Sequence, residues 1–101
     1  MNSKLKHEYK LEFVVSVALI NKVVSKLEDA GIREYTVLDI ARGRGNRDGD
    51  VSDSRIMATN NAFMFTVCTK EQRDKAVEIF APFFETVGGL FMISEVDCID
   101  P

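Results

Sequence analysis

Hydrophobic and polar residues alternate near the start of the chain. Between Tyr9 and Val17 the odd positions are all apolar, and Lys10, Glu12 and Ser16 separate them. A period of two predicts a strand with one buried face. The next apolar residues follow helical spacing and predict a helix: Leu19, Ile20, Val23, Val24 and Leu27. Gly31, directly after Ala30, is typical of the end of such a helix.

Two further strands are predicted on either side of a long polar segment. Tyr35–Ile40 is rich in β-branched residues. In the second segment, Phe63, Phe65 and Val67 alternate with Met64, Thr66 and Cys68. Between them, Arg42–Thr59 holds three Gly, four Arg and three Asp and offers little to bury. Loops of this length are uncommon in compact domains and are usually functional or disordered. We therefore expect a mobile loop at about 42–59.

The last third of the chain predicts a helix and a strand. Thr69 precedes Glu71 and Gln72 and can cap a helix from Glu71 to about Phe84. Gly88-Gly89 predicts a turn into a last strand from Leu90 to about Val96.

The resulting element order is βαββαβ, which predicts a ferredoxin-like α+β fold in one domain over residues 1–101. Two helices would cover one face of a four-stranded antiparallel sheet. The other face carries residues too apolar to be left in water, so we expect the chain to oligomerise through its sheet.

Charge and composition narrow the classes of function. The net charge is −3, which argues against general affinity for nucleic acid or anionic lipid. The apolar runs are far shorter than the roughly 20 residues needed to span a bilayer, so we expect no membrane insertion. Charged residues interrupt any apolar stretch near the N-terminus, so we also expect no signal peptide and a cytoplasmic location.

The chain offers little for catalysis or metal binding. Its one histidine, His7, has no cysteine or histidine at ligand spacing. Cys68 and Cys98 lack the paired spacing of a zinc site, and Cys68 falls in an apolar strand pattern typical of a buried structural thiol. The role of Cys98 stays open. We expect no metal site, no obligatory cofactor and no catalytic residues, hence no enzyme.

The most informative motif is Gly43-Arg44-Gly45-Asn46-Arg47, at the start of the long loop. Glycines let backbone N–H groups approach an anion, and the two arginines can add charge-assisted hydrogen bonds to phosphate oxygens. A merely solvated loop would carry the same residues. The motif lacks the lysine and spacing of a Walker A sequence, and no helix follows it directly as in a dinucleotide fingerprint.

This motif and the segment before it resemble the PII-like signalling proteins. Gly31–Asp39, with its Thr36-Val37 pair, followed by the Gly-basic-Gly-polar-Arg run of 43–47, is similar to the PII stretch that leads into the mobile T-loop. The resemblance covers roughly Lys10 to Val96 and is closest to the branch associated with bicarbonate transport and carboxysomes. It implies a homotrimer with adenine-nucleotide sites in the clefts between subunits.

The resemblance also implies roles for particular residues. Thr36 would contact the adenine or ribose, and Gly43, Arg44, Gly45 and Arg47 would hold the phosphates. Gly89 would supply backbone contacts from the turn before the last strand, on the neighbouring subunit or on the same cleft wall. The implied partner is a bicarbonate transporter or a carboxysome component, with bicarbonate as a candidate co-ligand.

The sequence departs from the PII pattern near its end. Only Val87–Leu90 stands where PII proteins have a longer Gly-Asp-Gly-Lys loop, and Glu95 and Asp97 follow where a basic pair is usual. Fewer cations near the phosphates favour ADP, AMP or cyclic AMP over ATP. The sequence alone leaves open which nucleotide is preferred and whether it is slowly hydrolysed.

Two other functions share this topology. An RNA-recognition motif has the same element order, and Phe63 and Phe65 are superficially similar to its base-stacking aromatics. The acidic charge and the lack of an aromatic motif in the first strand argue against it. A small-molecule or metal-sensing ferredoxin-like domain is the second alternative, because topology alone does not define function.

Overall fold

The computed structural model describes residues 4–40 and 60–99. Strand β1 spans Leu5–Ser16 and leads through a short 3-10 turn, Val17–Leu19, into helix α1, Ile20–Asp29. Strands β2 and β3 span Thr36–Ile40 and Asn61–Cys68. Helix α2 spans Lys70–Val87, and strand β4, Leu90–Ile99, completes the fold. The motif at 43–47 and the long loop lie outside the described residues.

The four strands form one antiparallel sheet in the order β2-β3-β1-β4. With α1 and α2 packed on one face, this is the predicted ferredoxin-like fold, and that prediction is confirmed. β1 and β4 are longer than predicted, since they pair with each other from Leu5↔Ile99 to Val14↔Leu90.

The core lies between the helices and the sheet and is rich in phenylalanine. Phe13 on β1 stacks on Phe91 of β4 with ring centroids 4.9 Å apart, and Phe80 of α2 lies 4.9 Å from Phe13. Phe13 and Phe80 are fully buried. Burying a side chain of this size stabilises the fold by about 1.5–3 kcal/mol.

Polar contacts at the helix ends join the two helices. The Thr69 hydroxyl accepts a hydrogen bond from the Gln72 backbone N–H, and the Gln72 side chain accepts one from the Thr69 N–H. The predicted N-cap is thus confirmed, as a complete capping box. Gln72 Nε2 also donates to the carbonyl of Gly31 at 2.8 Å, just past the end of α1. Gly31 has φ +84°, the left-handed conformation expected of a glycine that ends a helix.

Among residues 4–40 and 60–99, none covers the sheet face away from the helices. We call it the open face; its apolar members are Val14, Leu38, Phe63, Phe65, Val67, Leu90 and Met92. Leu38 and Leu90 each expose more than half of their surface. Phe63 and Phe65 lie here and are half-buried.

Charged residues of β1 also stand on the open face and pair among themselves. Lys6 lies 3.3 Å from Glu8, and Lys10 lies 3.6 Å from Glu12. The Lys10 ammonium also sits 5.0 Å from the centroid of the Phe65 ring. Neither described helix combines the length and apolar character needed to cross a membrane.

Candidate functional site

Thr36 opens β2 on the open face, where its side chain is exposed. Its backbone is in register with Phe65 of β3. Beside it, a shallow groove of about 270 Å³ is lined by residues from the α1–β2 connection, β3 and α2: Gly31, Ile32, Arg33, Glu34, Val67 and Gln72. The wall of this groove combines two apolar side chains, Ile32 and Val67, with one cation and one carboxylate.

Hydrogen bonds from neighbouring elements hold the α1–β2 connection that forms the groove. The Thr66 hydroxyl donates to the Glu34 carbonyl at 2.6 Å, and Gln72 holds the Gly31 carbonyl. The fold therefore fixes one wall of the groove before any ligand arrives, which lowers the ordering cost of binding.

Gly89 lies in the turn before β4 and has φ +96°. A Cβ at this position would stand 2.5 Å from the carbonyl oxygen of Val14. Both the conformation and the close approach require glycine, so the turn alone accounts for Gly89. Its expected contact with nucleotide remains a prediction.

The expected phosphate-binding residues, Gly43, Arg44, Gly45 and Arg47, lie outside the described residues. The backbone on either side of the loop is described: Ile40 of β2 is in register with Asn61 of β3. Asn61 is in turn in register with Ser16, the last residue of β1. Gly89 precedes Leu90, which pairs with Val14, so it lies at this same end of the sheet.

The structure does not bring Thr36 and Gly89 together within one protomer. They belong to the two outer strands, with β3 and β1 between them. Three strand spacings separate the outer strands by about 14 Å. Thr36 also lies at the opposite end of β2 from Ile40, whereas Gly89 lies at the Ile40 end.

Cys68 is the buried thiol that the sequence predicted. Its side chain faces the core, and burial raises its pKa to about 11. The thiol therefore stays protonated at neutral pH and is a weak nucleophile. Among residues 4–40 and 60–99, no three side chains converge as metal ligands.

One polar cluster, formed by His7, Glu95 and Asp97, was not recognised from the sequence. His7 Nδ1 lies 3.1 Å from Asp97 Oδ1, and His7 Nε2 lies 2.9 Å from Glu95 Oε1. These hydrogen bonds raise the pKa of His7 above 6.5, Asp97 having the larger effect. The spacing of Glu95 and Asp97 places them on one side of a strand, but only the register of β1 with β4 shows that this side faces His7.

Comparisons with known proteins agree with the fold. The family model described as nitrogen regulatory protein P-II matches residues 8–100. The structure of CPII from Thiomonas intermedia K12 bound to ADP and bicarbonate has a TM-score of 0.80 and 23% identity, covering 99% of this chain and 96% of that one. CPII from the same organism bound to ADP, AMP and acetate has a TM-score of 0.78 and 23% identity, covering 97% and 94%.

A more distant similarity is to GlnK of B. subtilis in its complex with ATP. The TM-score is 0.65 at 17% identity, over 89% of this chain and 82% of that one. Among curated proteins, none matches the sequence. The family match spans nearly the whole chain, so the chain belongs to the nitrogen regulatory protein P-II family, a family of regulatory proteins.

Proposed function

We propose that this chain is a regulator that binds ADP or AMP, with cyclic AMP and ATP as weaker candidates, in clefts between the protomers of a homotrimer. The observation that carries the proposal is the P-II family match over residues 8–100. The similar CPII structures, bound to ADP and AMP, support these nucleotides as the ligands to test first.

The separation of Thr36 from Gly89 supports a site shared between protomers. These residues lie at opposite ends of different outer strands, so one nucleotide contacting both would need them from two different copies. The exposed apolar residues of the open face, Leu38, Leu90 and Met92 among them, supply a surface through which copies can associate.

The groove beside Thr36 has the chemistry to receive the base and sugar. Val67 gives an apolar wall, and the exposed side chains of Arg33 and Glu34 offer a cation and a carboxylate to the polar edge of a purine. At the other end of the ligand, Gly43, Arg44, Gly45 and Arg47 would bind the phosphates through backbone N–H groups and guanidinium groups. Gly89 would add backbone contacts.

The regulatory step we propose is a change in order of the loop at about 42–59. A nucleotide that binds one loop state better than the other shifts the loop between them, and the loop then engages or releases a partner. The bicarbonate in one CPII structure supports inorganic-carbon uptake or fixation as the process regulated, with a bicarbonate transporter or carboxysome component as partner.

Phe63 and Phe65 favour an RNA-recognition module as the second candidate function. Their rings lie 5.9 Å apart, half-buried on the open face, where an RNA-recognition motif stacks bases. The net charge of −3 and the P-II family match weigh against it, and a subunit interface uses the same two rings.

A calorimetric titration of ADP and AMP into Arg47→Ala tests the site. Losing a charge-assisted hydrogen bond to phosphate costs about 1.5–3 kcal/mol, so affinity should fall roughly 10- to 150-fold. Arg55→Ala, which removes the same charge deeper in the same loop, is the matched control and should change affinity little. Equal affinities for wild type and Arg47→Ala would refute the site assignment, whereas no binding by wild type would refute the function.

A further inference from the structure

β1 and β4 continue beyond the rest of the sheet as a two-stranded ribbon. Cys68 of β3 reaches no further along β1 than Tyr9, so among the described strands β4 alone pairs with residues 5–8. At the tip of the ribbon, Leu5 pairs with Ile99, and both side chains are largely exposed. Two strands alone are marginally stable in water, so side-chain contacts decide whether this ribbon stays paired.

His7 makes two side-chain contacts across this ribbon. It is directly opposite Asp97 and diagonal to Glu95, and each ring nitrogen lies within hydrogen-bond distance of one of the two carboxylates. A neutral imidazole has one N–H and one lone pair, whereas the imidazolium has two N–H donors. Because both partners are acceptors, only the protonated ring satisfies this geometry.

In the part of the chain that the structure describes, no lysine or arginine forms an ion pair with Glu95 or Asp97 that could replace this positive charge. The nearest aromatic neighbour, Tyr9, meets the His7 ring edge-on at 5.6 Å. Arg73 of α2 lies over the Tyr9 ring, 4.5 Å from its centroid, and donates a hydrogen bond to Asp74 at 2.7 Å. Lys6 is on the opposite face of β1, where it pairs with Glu8. When His7 loses its proton, one ring nitrogen presents a lone pair to a carboxylate, and the two carboxylates lose the cation between them.

We propose that His7 is a pH-operated clasp, which holds the ribbon of residues 5–8 and 96–99 closed when protonated and loosens it when neutral. The hydrogen bonds to Asp97 and Glu95 raise the pKa of His7 in the folded protein above its ordinary value of 6.5. The stabilisation is therefore complete below pH 6.5 and is lost as pH rises through the higher folded pKa. The clasp therefore loosens above pH 6.5, and it uses no residue of the proposed nucleotide site.

The titration can be observed directly, because His7 is the one histidine of the chain and gives a single set of imidazole resonances. In wild type, its pKa measured by NMR should lie above 6.5. Combining Glu95→Gln with Asp97→Asn should return that pKa towards 6.5. Glu8→Gln removes a carboxylate from the opposite face of the same ribbon and should leave the His7 pKa nearly unchanged.

Amide hydrogen exchange then tests whether the ribbon loosens when His7 loses its proton. Protection factors of the amides of residues 6–8 and 96–98 should fall as pH rises through the His7 pKa, while those of Phe13 and Met64 in the core strands stay constant. In His7→Gln the ribbon should lose this pH dependence. A His7 pKa at or below 6.5, or ribbon protection that does not change across the titration, would overturn the clasp.

Discussion

The backbone at Gly89 leaves no room for a side chain. Its φ of +96° is strained for any residue with a Cβ, and that Cβ would stand 2.5 Å from the Val14 carbonyl oxygen. The obstructing atom belongs to the backbone of a central strand, so it moves only if the β1–β4 pairing moves. Gly89 is therefore needed for the fold, whether or not it also contacts a ligand.

Substituting Gly89 should consequently destabilise the protein more than substituting another glycine with positive φ. Gly31 is the matched control, because a Cβ there would meet only the Gln72 side chain at 3.8 Å. Gly31→Ala should cost about 1–2 kcal/mol, the price of the left-handed conformation for alanine. Gly89→Ala should cost more, as measured by urea unfolding. Equal losses would show that the turn relaxes around the added methyl group.

At the scale of elements, residue patterns predicted those features of the helices and strands that depend on nearby residues alone. Helix α2 and its cap followed from Thr69 and the spacing of its apolar residues, and the capping box confirms that reading. The extra length of β1 and β4 could not be predicted in this way. Residues 5–8 are mostly polar and lack the alternation of Tyr9–Val17, and their strand conformation depends on distant pairing with β4.

The candidate site was predictable only in part for the same reason. Thr36 and Gly89 could be selected as single residues by resemblance to PII proteins, but their separation across the sheet depends on strand order. The groove at Gly31–Glu34 depends on Gln72 reaching the end of α1 from another helix, and the His7 cluster depends on the β1–β4 register. Spacing along the chain specifies none of these contacts.

At the scale of the whole molecule, the described residues leave apolar side chains exposed on the open face of the sheet. One face of the sheet is covered by two helices, and the other leaves Leu38, Leu90 and Met92 exposed. Apolar residues grouped in this way are typical of a surface that is buried on association. The paired charges on β1, Lys10 with Glu12, lie on the same face and would constrain how copies fit together.

Light scattering coupled to size exclusion should therefore give a mass about three times 11.4 kDa. Met92→Lys places a charge on the open face and should shift the mass towards that of a monomer. Val77→Lys changes an exposed valine on α2, in the other layer, and should leave the mass unchanged. If wild-type protein remained at 11.4 kDa at micromolar concentration, that result would contradict both the proposed interface and a site shared across it.

The central claim is that an adenine nucleotide binds between protomers, and a calorimetric titration of ADP into wild type and Met92→Lys tests it most directly. Met92 lies on β4, the opposite outer strand from Thr36, so we expect its substitution to act through assembly. We predict one ADP per protomer for wild type and for the assembled Val77→Lys control, with binding lost in the dissociated Met92→Lys variant. Wild-type protein that binds no ADP, or monomeric Met92→Lys that binds ADP as tightly as wild type, would contradict the account.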